Sequence, residues 1–197
     1  MKIITDINQL DMDKTYSYAD YLLWRFQERV ELFKGKIFKM SPATSTSHQK
    51  ISRVFAGNLY NYFINNSCEF FTAPFDVKLL NKKRSTPEKD IFTVVQPDLC
   101  VICDSKKLDK KGCNGAPDLV MEILSPGNSK KEMDIKFDLY EEAGVVEYWL
   151  VYPEEKSVII YILKEGRYIG LKPFTEGQIL RSTIFPDLEI DLEKVFI

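Results

Sequence analysis

From residue 47 onward, apolar residues fall at helical intervals. Ile51, Val54, Phe55, Leu59, Tyr62 and Phe63 recur three or four apart, which predicts a helix ending near Asn65 and Asn66. An earlier stretch, YSYADYLLWRFQER at 16–29, is also amphipathic and predicts a short helix. Between the two, RVELF and KIFKM read as a hairpin around a Lys34-Gly35 turn. SPATSTS at 41–47 is a polar connector rich in potential caps. EFFTAPFDVKLL reads as a strand over 69–80, bent at Pro74, and NKKRSTPEKD as a loop or exposed hairpin tip. QPDLCVICD and PDLVMEIL are nearly continuous apolar runs, the pattern of strands covered on both faces. A helix over 129–143 follows, with Gly144 as its C-cap residue. EYWLVYP and SVIIYIL form two more strands joined by a turn at 153–156. RYIGLKPF and STIFPDLEIDLEKVFI close the chain as a strand extension over 157–197. This order predicts an α/β or α+β domain around one mixed sheet.

Composition narrows the function classes. The 197 residues suit a single domain, and 45% hydrophobic with 28% charged residues is an ordinary soluble mix. With 27 basic and 29 acidic residues, strong non-specific nucleic-acid binding by the whole surface is disfavoured. The bases do cluster, at Lys82, Lys83 and Arg84, at Lys106, Lys107, Lys110 and Lys111, and at Lys130 and Lys131. Such runs are solvated loops or the edges of a positive groove. No apolar run reaches the roughly 18 residues of a membrane span, and the first residues lack a signal-peptide core. A cytoplasmic setting with free thiols follows as the expectation. Cys100 and Cys103 make a CxxC, but residues three apart on a strand point to opposite faces, so they read as small core residues rather than a zinc pair. A single histidine argues against a His-based zinc centre, and no phosphate-loop, dinucleotide or serine-elbow motif occurs.

The acids carry the chemistry. Asp118 and Glu122 share a strand face, yet four residues of strand span about 13 Å, too far for one ion. Asp118 opens its strand and reads as an edge residue. Glu122 is surrounded by Leu119, Val120, Met121, Ile123 and Leu124, where a charge is costly unless paired, protonated or metal-bound. If strands 97–103 and 118–124 are antiparallel neighbours, Asp98 falls opposite Glu122 at about 5 Å, a separation at which two carboxylates share a divalent ion. Asp104 falls in the connection. On the helix that follows, Lys136 and Tyr140 lie four apart on one face. The lysine either serves the carboxylates, stabilising negative charge or helping to deprotonate a water, or pairs at the surface with Glu132. Glu31 lies in a strand that is half-exposed or lines the pocket. His48 is a packed or capping residue or looks into a cleft. The aromatics Tyr148, Trp149, Tyr152, Tyr161 and Tyr168 suit a dimer face or plain core packing.

These pieces resemble the Uma-type family of restriction-endonuclease-like proteins, within the PD-(D/E)XK nuclease superfamily. The likeness rests on GAPDLVMEILSP, the upstream QPD, DIKFDLYEEAGVVEYWLVYP, VELFKGKIFKMSP, SHQKI and GQILRSTIFPDLEIDLEKVF, and covers nearly the whole chain. It implies an αβββαβ core over 47–151, made of helix 47–64, strands 69–80, 97–103 and 118–124, helix 129–143 and strand 146–151, preceded by a helix and hairpin at 16–40. It implies Asp98 and Glu122 as metal ligands, with the Ile123 carbonyl as a further ligand to Mg²⁺ or Mn²⁺. The superfamily's usual lysine position holds Leu124, and the resemblance assigns that role to Lys136. It further implies Glu31 as a third carboxylate, and His48 and Gln49 as residues bordering the site. The function so implied is Mg²⁺-dependent endonuclease cleavage of DNA by a homodimer. The alternative is a catalytically inactive DNA-binding or oligomeric scaffold on the same fold.

Overall fold

Two mixed sheets, rather than one, organise the chain, with a third pair of strands near its end. The computed structural model describes residues 3–40, 45–80, 87–125 and 130–196. The basic run at Lys82, Lys83 and Arg84, part of the 41–47 connector and the expected helix start at Ser129 lie outside these residues. In chain order come α1 (Tyr18–Tyr21), β1 (Val30–Phe33), β2 (Lys36–Lys39), α2 (Thr46–Phe63), β3 (Glu69–Thr72), β4 (Val77–Lys78), β5 (Val94–Val95) and β6 (Leu99–Ile102). Then follow β7 (Leu108–Asp109), β8 (Gly112–Asn114), β9 (Leu119–Ile123), α3 (Lys130–Ala143), β10 (Glu147–Tyr152) and β11 (Ser157–Lys164). The last elements are β12 (Arg167–Gly170), β13 (Phe174–Thr175), β14 (Ile179–Arg181), β15 (Glu189–Asp191) and α4 (Leu192–Val195). The result is a mixed α+β architecture.

The larger sheet runs β12-β11-β10-β9-β6-β3. β9 and β10 are parallel, joined by α3, while β6 is antiparallel to both β9 and β3. Alternation along these strands sorts the core into two layers. Leu99, Val101, Leu119, Met121, Ile123, Trp149 and Val151 pack with Ile51, Phe55, Leu59 and Phe63 of α2. Cys100, Ile102, Val120, Tyr148 and Leu150 pack with Leu139 and Tyr140 of α3. Both faces are covered, as the continuous apolar runs require. Tyr148 and Trp149 are buried, and Phe137 of α3 makes edge contacts with Tyr148, Tyr161 and Tyr168. Tyr148 and Trp149 belong to the core, and Tyr152, Tyr161 and Tyr168 are half-buried against it.

The smaller sheet runs β2-β1-β5-β4-β8-β7. Of the five passages the chain makes between the two sheets, two short ones run side by side. The stretch expected as one strand over 69–80 is cut by Ala73-Pro74 into β3 of the large sheet and β4 of the small one. Proline has no N–H for a ladder, so the strand ends there. The return passage is Gln96-Pro97-Asp98, linking β5 to β6. Ala73 N–H donates to the Asp98 carbonyl (3.0 Å), tying the two crossings together. Gly112 closes the small sheet against the first crossing. A Cβ there would sit 2.1 Å from the Asp76 carbonyl oxygen, and its φ is +124°.

Three other expectations are corrected. The helix expected over 16–29 stops after one turn, capped by a Ser17–Asp20 box. Beyond it the backbone pairs with the N-terminal segment instead, through Ile4 N–H to Leu23 O (3.1 Å) and Arg25 N–H to Ile4 O (2.7 Å). That pairing seats Trp24 in a cluster with Tyr16, Tyr18, Leu32 and Val94. The strand extension expected over 157–197 ends in a helical turn, α4, where Asp191 accepts from Glu193 N–H and Leu192 and Val195 enter the core. Finally, not all four thiols are free. Cys68 and Cys103 are joined by a disulfide, whereas Cys100 and Cys113 are free and buried. The β3–β6 register pairs Glu69 with Ile102, which sets Cys68 directly opposite Cys103. Among the described residues no helix is long and apolar enough to cross a membrane.

Candidate active site

Where β6 begins and β9 ends, four elements converge. The β6–β9 register pairs Leu99 with Met121, so its next position sets Asp98 opposite Glu122. The Asp98 carboxylate fills the gap beyond the last rung. Its Oδ2 accepts from Ile123 N–H (2.8 Å) and its Oδ1 lies 3.2 Å from His48 Nε2. His48 arrives from the first turn of α2, which Ser45 caps by accepting from His48 N–H (3.1 Å). It is buried, and among the described residues its Nδ1 has no hydrogen-bond partner. Burial pulls the imidazole pKa down. Its hydrogen bond to Asp98 and the charges of Asp98 and Glu122 outweigh that, so the net shift is upward.

Glu122 points toward α3. Its Oε1 accepts from Tyr140 OH (2.6 Å) and from Lys136 Nζ (3.0 Å), the two α3 residues four apart. The same ammonium lies 3.1 Å from Glu31 Oε1, delivered by β1. That oxygen also accepts from the main-chain N–H of Gln96 (2.7 Å). Glu31, Glu122 and Lys136 are 1%, 8% and 7% exposed, so this is a buried two-carboxylate, one-cation cluster. Lys136 is therefore a buried lysine and not a surface one. Burial, offset in part by Lys136 and reinforced by the Asp98 and Glu31 charges, pushes the Glu122 pKa up to about 7. Burial likewise raises Glu31, against the pull of Lys136. For Lys136 burial acts downward, but the two carboxylates win and its pKa is raised. That shift favours the charged form of the lysine. Tyr140 is raised by burial and by the Glu122 charge, so it stays a hydroxyl donor.

The donors suit a hard divalent cation. Asp98, Glu122 and the Ile123 carbonyl between them are oxygen ligands of the kind Mg²⁺ and Mn²⁺ take. The carboxylates of Asp98, Glu122 and Glu31 face one lysine and one histidine. Among the described residues no group of three or more His, Cys, Asp and Glu forms a metal cage. The Glu31 carboxylate is turned to Lys136 and the Gln96 amide. Two carboxylates with water are sufficient for Mg²⁺, which keeps much of its hydration shell. A tight pocket of about 20 Å³, lined by Glu122, Ile123, Leu124, Met133 and Lys136, opens beside them.

Other expected residues lie around this centre. Leu124, in the superfamily's lysine position, lines the pocket, while the ammonium enters from α3. Gln49 is exposed on the first turn of α2. Asp118 sits at the far end of β9, where its Oδ2 accepts from Cys103 N–H (2.8 Å). Of the basic runs, Lys107 donates to the Ala116 carbonyl (2.7 Å) and Lys111 pairs with Glu88, away from the carboxylates. Sequence reasoning missed Gln96. Its amide fixes Glu31, and its side chain donates to Asp76 (2.9 Å) and Tyr21 (3.2 Å). The only signal was its place before Pro97-Asp98.

Comparison with known proteins places this geometry. A solved structure, of a putative nuclease belonging to DUF820 from Anabaena variabilis, superposes with a TM-score of 0.66 at 19% identity, covering 91% of this chain and 97% of that one. The two chains therefore share a fold. Uncharacterized protein slr1290 of Synechocystis is 27% identical over 137 residues, 68% of this chain and 67% of its own length. The family model named Uma2 and described as "Putative restriction endonuclease" matches residues 18–193. Spanning as it does both sheets and every side chain of the carboxylate–lysine cluster, that match establishes that the chain belongs to the Uma2 restriction-endonuclease-like family.

Proposed function

We propose that the chain hydrolyses phosphodiester bonds of DNA at the Asp98–Glu122 centre, with a divalent cation held by these two carboxylates and the Ile123 carbonyl. The observation that carries this reading is the opposition of Asp98 and Glu122 across β6 and β9 with a buried lysine on Glu122. Bound there, Mg²⁺ or Mn²⁺ supplies charge neutralisation at the phosphate and an acidified water. The protein's own residues do the rest. Lys136 places positive charge where the pentacovalent phosphate gains negative charge. Glu31 and Tyr140 hold that lysine and Glu122 in register. His48 and the Ile123 amide fix the two oxygens of Asp98, so the carboxylate is oriented before a cation arrives.

The test is cleavage of circular and linear DNA with Mg²⁺ or Mn²⁺, alongside calorimetric titration of the metal. Native protein should bind the cation and cut, and chelation should stop it. Asp98→Asn and Glu122→Gln should lose both properties. A native protein that binds neither cation, with or without DNA, and cuts nothing would instead be the inactive scaffold.

A further inference from the structure

A second cleft adjoins the carboxylates on the small-sheet side. It has a volume of about 320 Å³ and is lined by Trp24, Phe26, Arg25, Arg29, Pro74 and Gln96, among others. We propose that it is a nucleotide subsite, taking a phosphate and base of the DNA strand beside the scissile bond. This rests on the nuclease reading for its substrate and adds where the strand is gripped.

Three observations support it. First, the chemistry is that of a nucleotide. Phe26, partly exposed at the cleft, stacks on the buried Trp24 at 5.6 Å with their planes 28° apart, an aromatic side chain of the sort on which bases stack. Arg25 and Arg29 are both exposed at the cleft, against the single acid Glu28, so the rim is net positive. Arg25 Nη1 is pinned by the carbonyls of Leu22 (2.9 Å) and Trp24 (2.7 Å), which fixes its guanidinium beside the aromatic pair. Arginine's planar fork suits phosphate oxygens.

Second, the cleft and the carboxylate centre share their chain. Gln96 lines the cleft and stands two residues before Asp98, a reach of at most about 7 Å. Pro74, also in the lining, follows Ala73, whose N–H is bonded to the Asp98 carbonyl. A strand with its phosphate on the carboxylates therefore passes this cleft within a nucleotide or so. Third, the two are coupled through Gln96. Arg29 Nη2 donates to Gln96 Oε1 (2.8 Å), while the Gln96 amide holds Glu31 and so Lys136. A phosphate that engages Arg29 competes for a bond in the chain that positions the lysine.

The experiment is a fluorescence-anisotropy titration of a dye-labelled oligothymidylate in EDTA, at several salt concentrations. The Arg25→Gln/Arg29→Gln variant should bind about tenfold more weakly, and its slope of log K against log salt should shrink by about 0.7 for the one phosphate no longer neutralised. Phe26→Ala should lose roughly five- to tenfold with the slope intact, the mark of stacking rather than charge. Asp98→Asn should bind at least as tightly as the native protein. Circular dichroism checks each fold, and Arg29→Gln alone, at an exposed side chain, serves if the double variant does not fold. Unchanged affinity and slope in the arginine variants overturns the subsite, whatever the cleavage assay shows. Arginine-dependent binding by a protein that cuts nothing overturns the nuclease reading and leaves the subsite standing.

Discussion

The strand pair β6–β9 carries the same tripeptide at both of its ends, Pro97-Asp98-Leu99 and Pro117-Asp118-Leu119. The two aspartates do the same local work. Each opens its own strand and accepts, through Oδ2 at 2.8 Å, the N–H at the end of the other: Ile123 for Asp98 and Cys103 for Asp118. Their surroundings differ. Asp98 faces Glu122 and His48, with a buried lysine one carboxylate away. Asp118 lies opposite Ile102 and beside the Cys68–Cys103 bridge. One end is a charged cluster around a gap, and the other is a stapled corner. The motif ends a strand; the company it keeps makes a site.

The sharpest way to break that contrast is to remove the cation from the charged end. Lys136→Met leaves Glu31 and Glu122 buried without a counter-charge, which should cost about 3–5 kcal/mol of stability by chemical denaturation. Adding Glu31→Gln should recover part of that loss, since one of the two stranded charges is gone. Next in size, Asp98→Asn keeps a hydrogen-bond acceptor for Ile123 but removes the charge proposed to hold the cation. Cleavage should fall by more than about a hundredfold, beyond the cost of disturbing an outer-shell partner, while the folding midpoint barely moves.

How far this contrast was legible in the chain depends on which group carries each contact. Glu122 was readable because a carboxylate within Leu-Val-Met-Glu-Ile-Leu demands a partner, and antiparallel pairing named Asp98. Lys136 and Tyr140 were readable from helical spacing, and both reach one oxygen of Glu122. The role of Glu31 on Lys136 was not, because it depends on the Gln96 main-chain N–H, which has no side-chain signature. The split into two sheets was half visible, as Pro74 marked a bend but not the sheet that Val77 would join. The helix over 16–29 failed because pairing with Ile4, outside its own pattern, won the backbone of Leu23 and Arg25. The Cys68–Cys103 bridge needed the β3–β6 register, which couples residues 35 apart.

Acidity separates the two ends more gently. Glu122 titrates at about 7 in the folded protein, above its ordinary 4.5. Folding therefore favours its protonated form. That contribution is full below the ordinary value and is lost as pH rises through about 7. A divalent cation competes with the same proton. The rise in thermal midpoint on adding Mg²⁺ should be small at about pH 5.5 and larger at about pH 8, reaching about 2–3 kcal/mol at a hundredfold excess over Kd. Thermal melts at the two pH values with and without EDTA measure it. An equal gain at both would place the cation away from Glu122.

The smallest effect is the control that gives the others meaning. Asp118→Asn makes at the stapled end the same exchange that Asp98→Asn makes at the charged end. The Cys103 N–H keeps an acceptor and loses only the charge assistance, worth about 1 kcal/mol of stability. Cleavage should be unchanged, because four residues of strand put Asp118 about 13 Å from Glu122. The pair of variants separates two accounts of the PD tripeptide. If Asp118→Asn matches Asp98→Asn in lost cleavage, the tripeptide acts through the strand pair as a whole, and the local cluster is not the site. If only Asp98→Asn is silent, the chemistry belongs to what surrounds the aspartate: Glu122 across the ladder, His48 from α2 and Lys136 from α3.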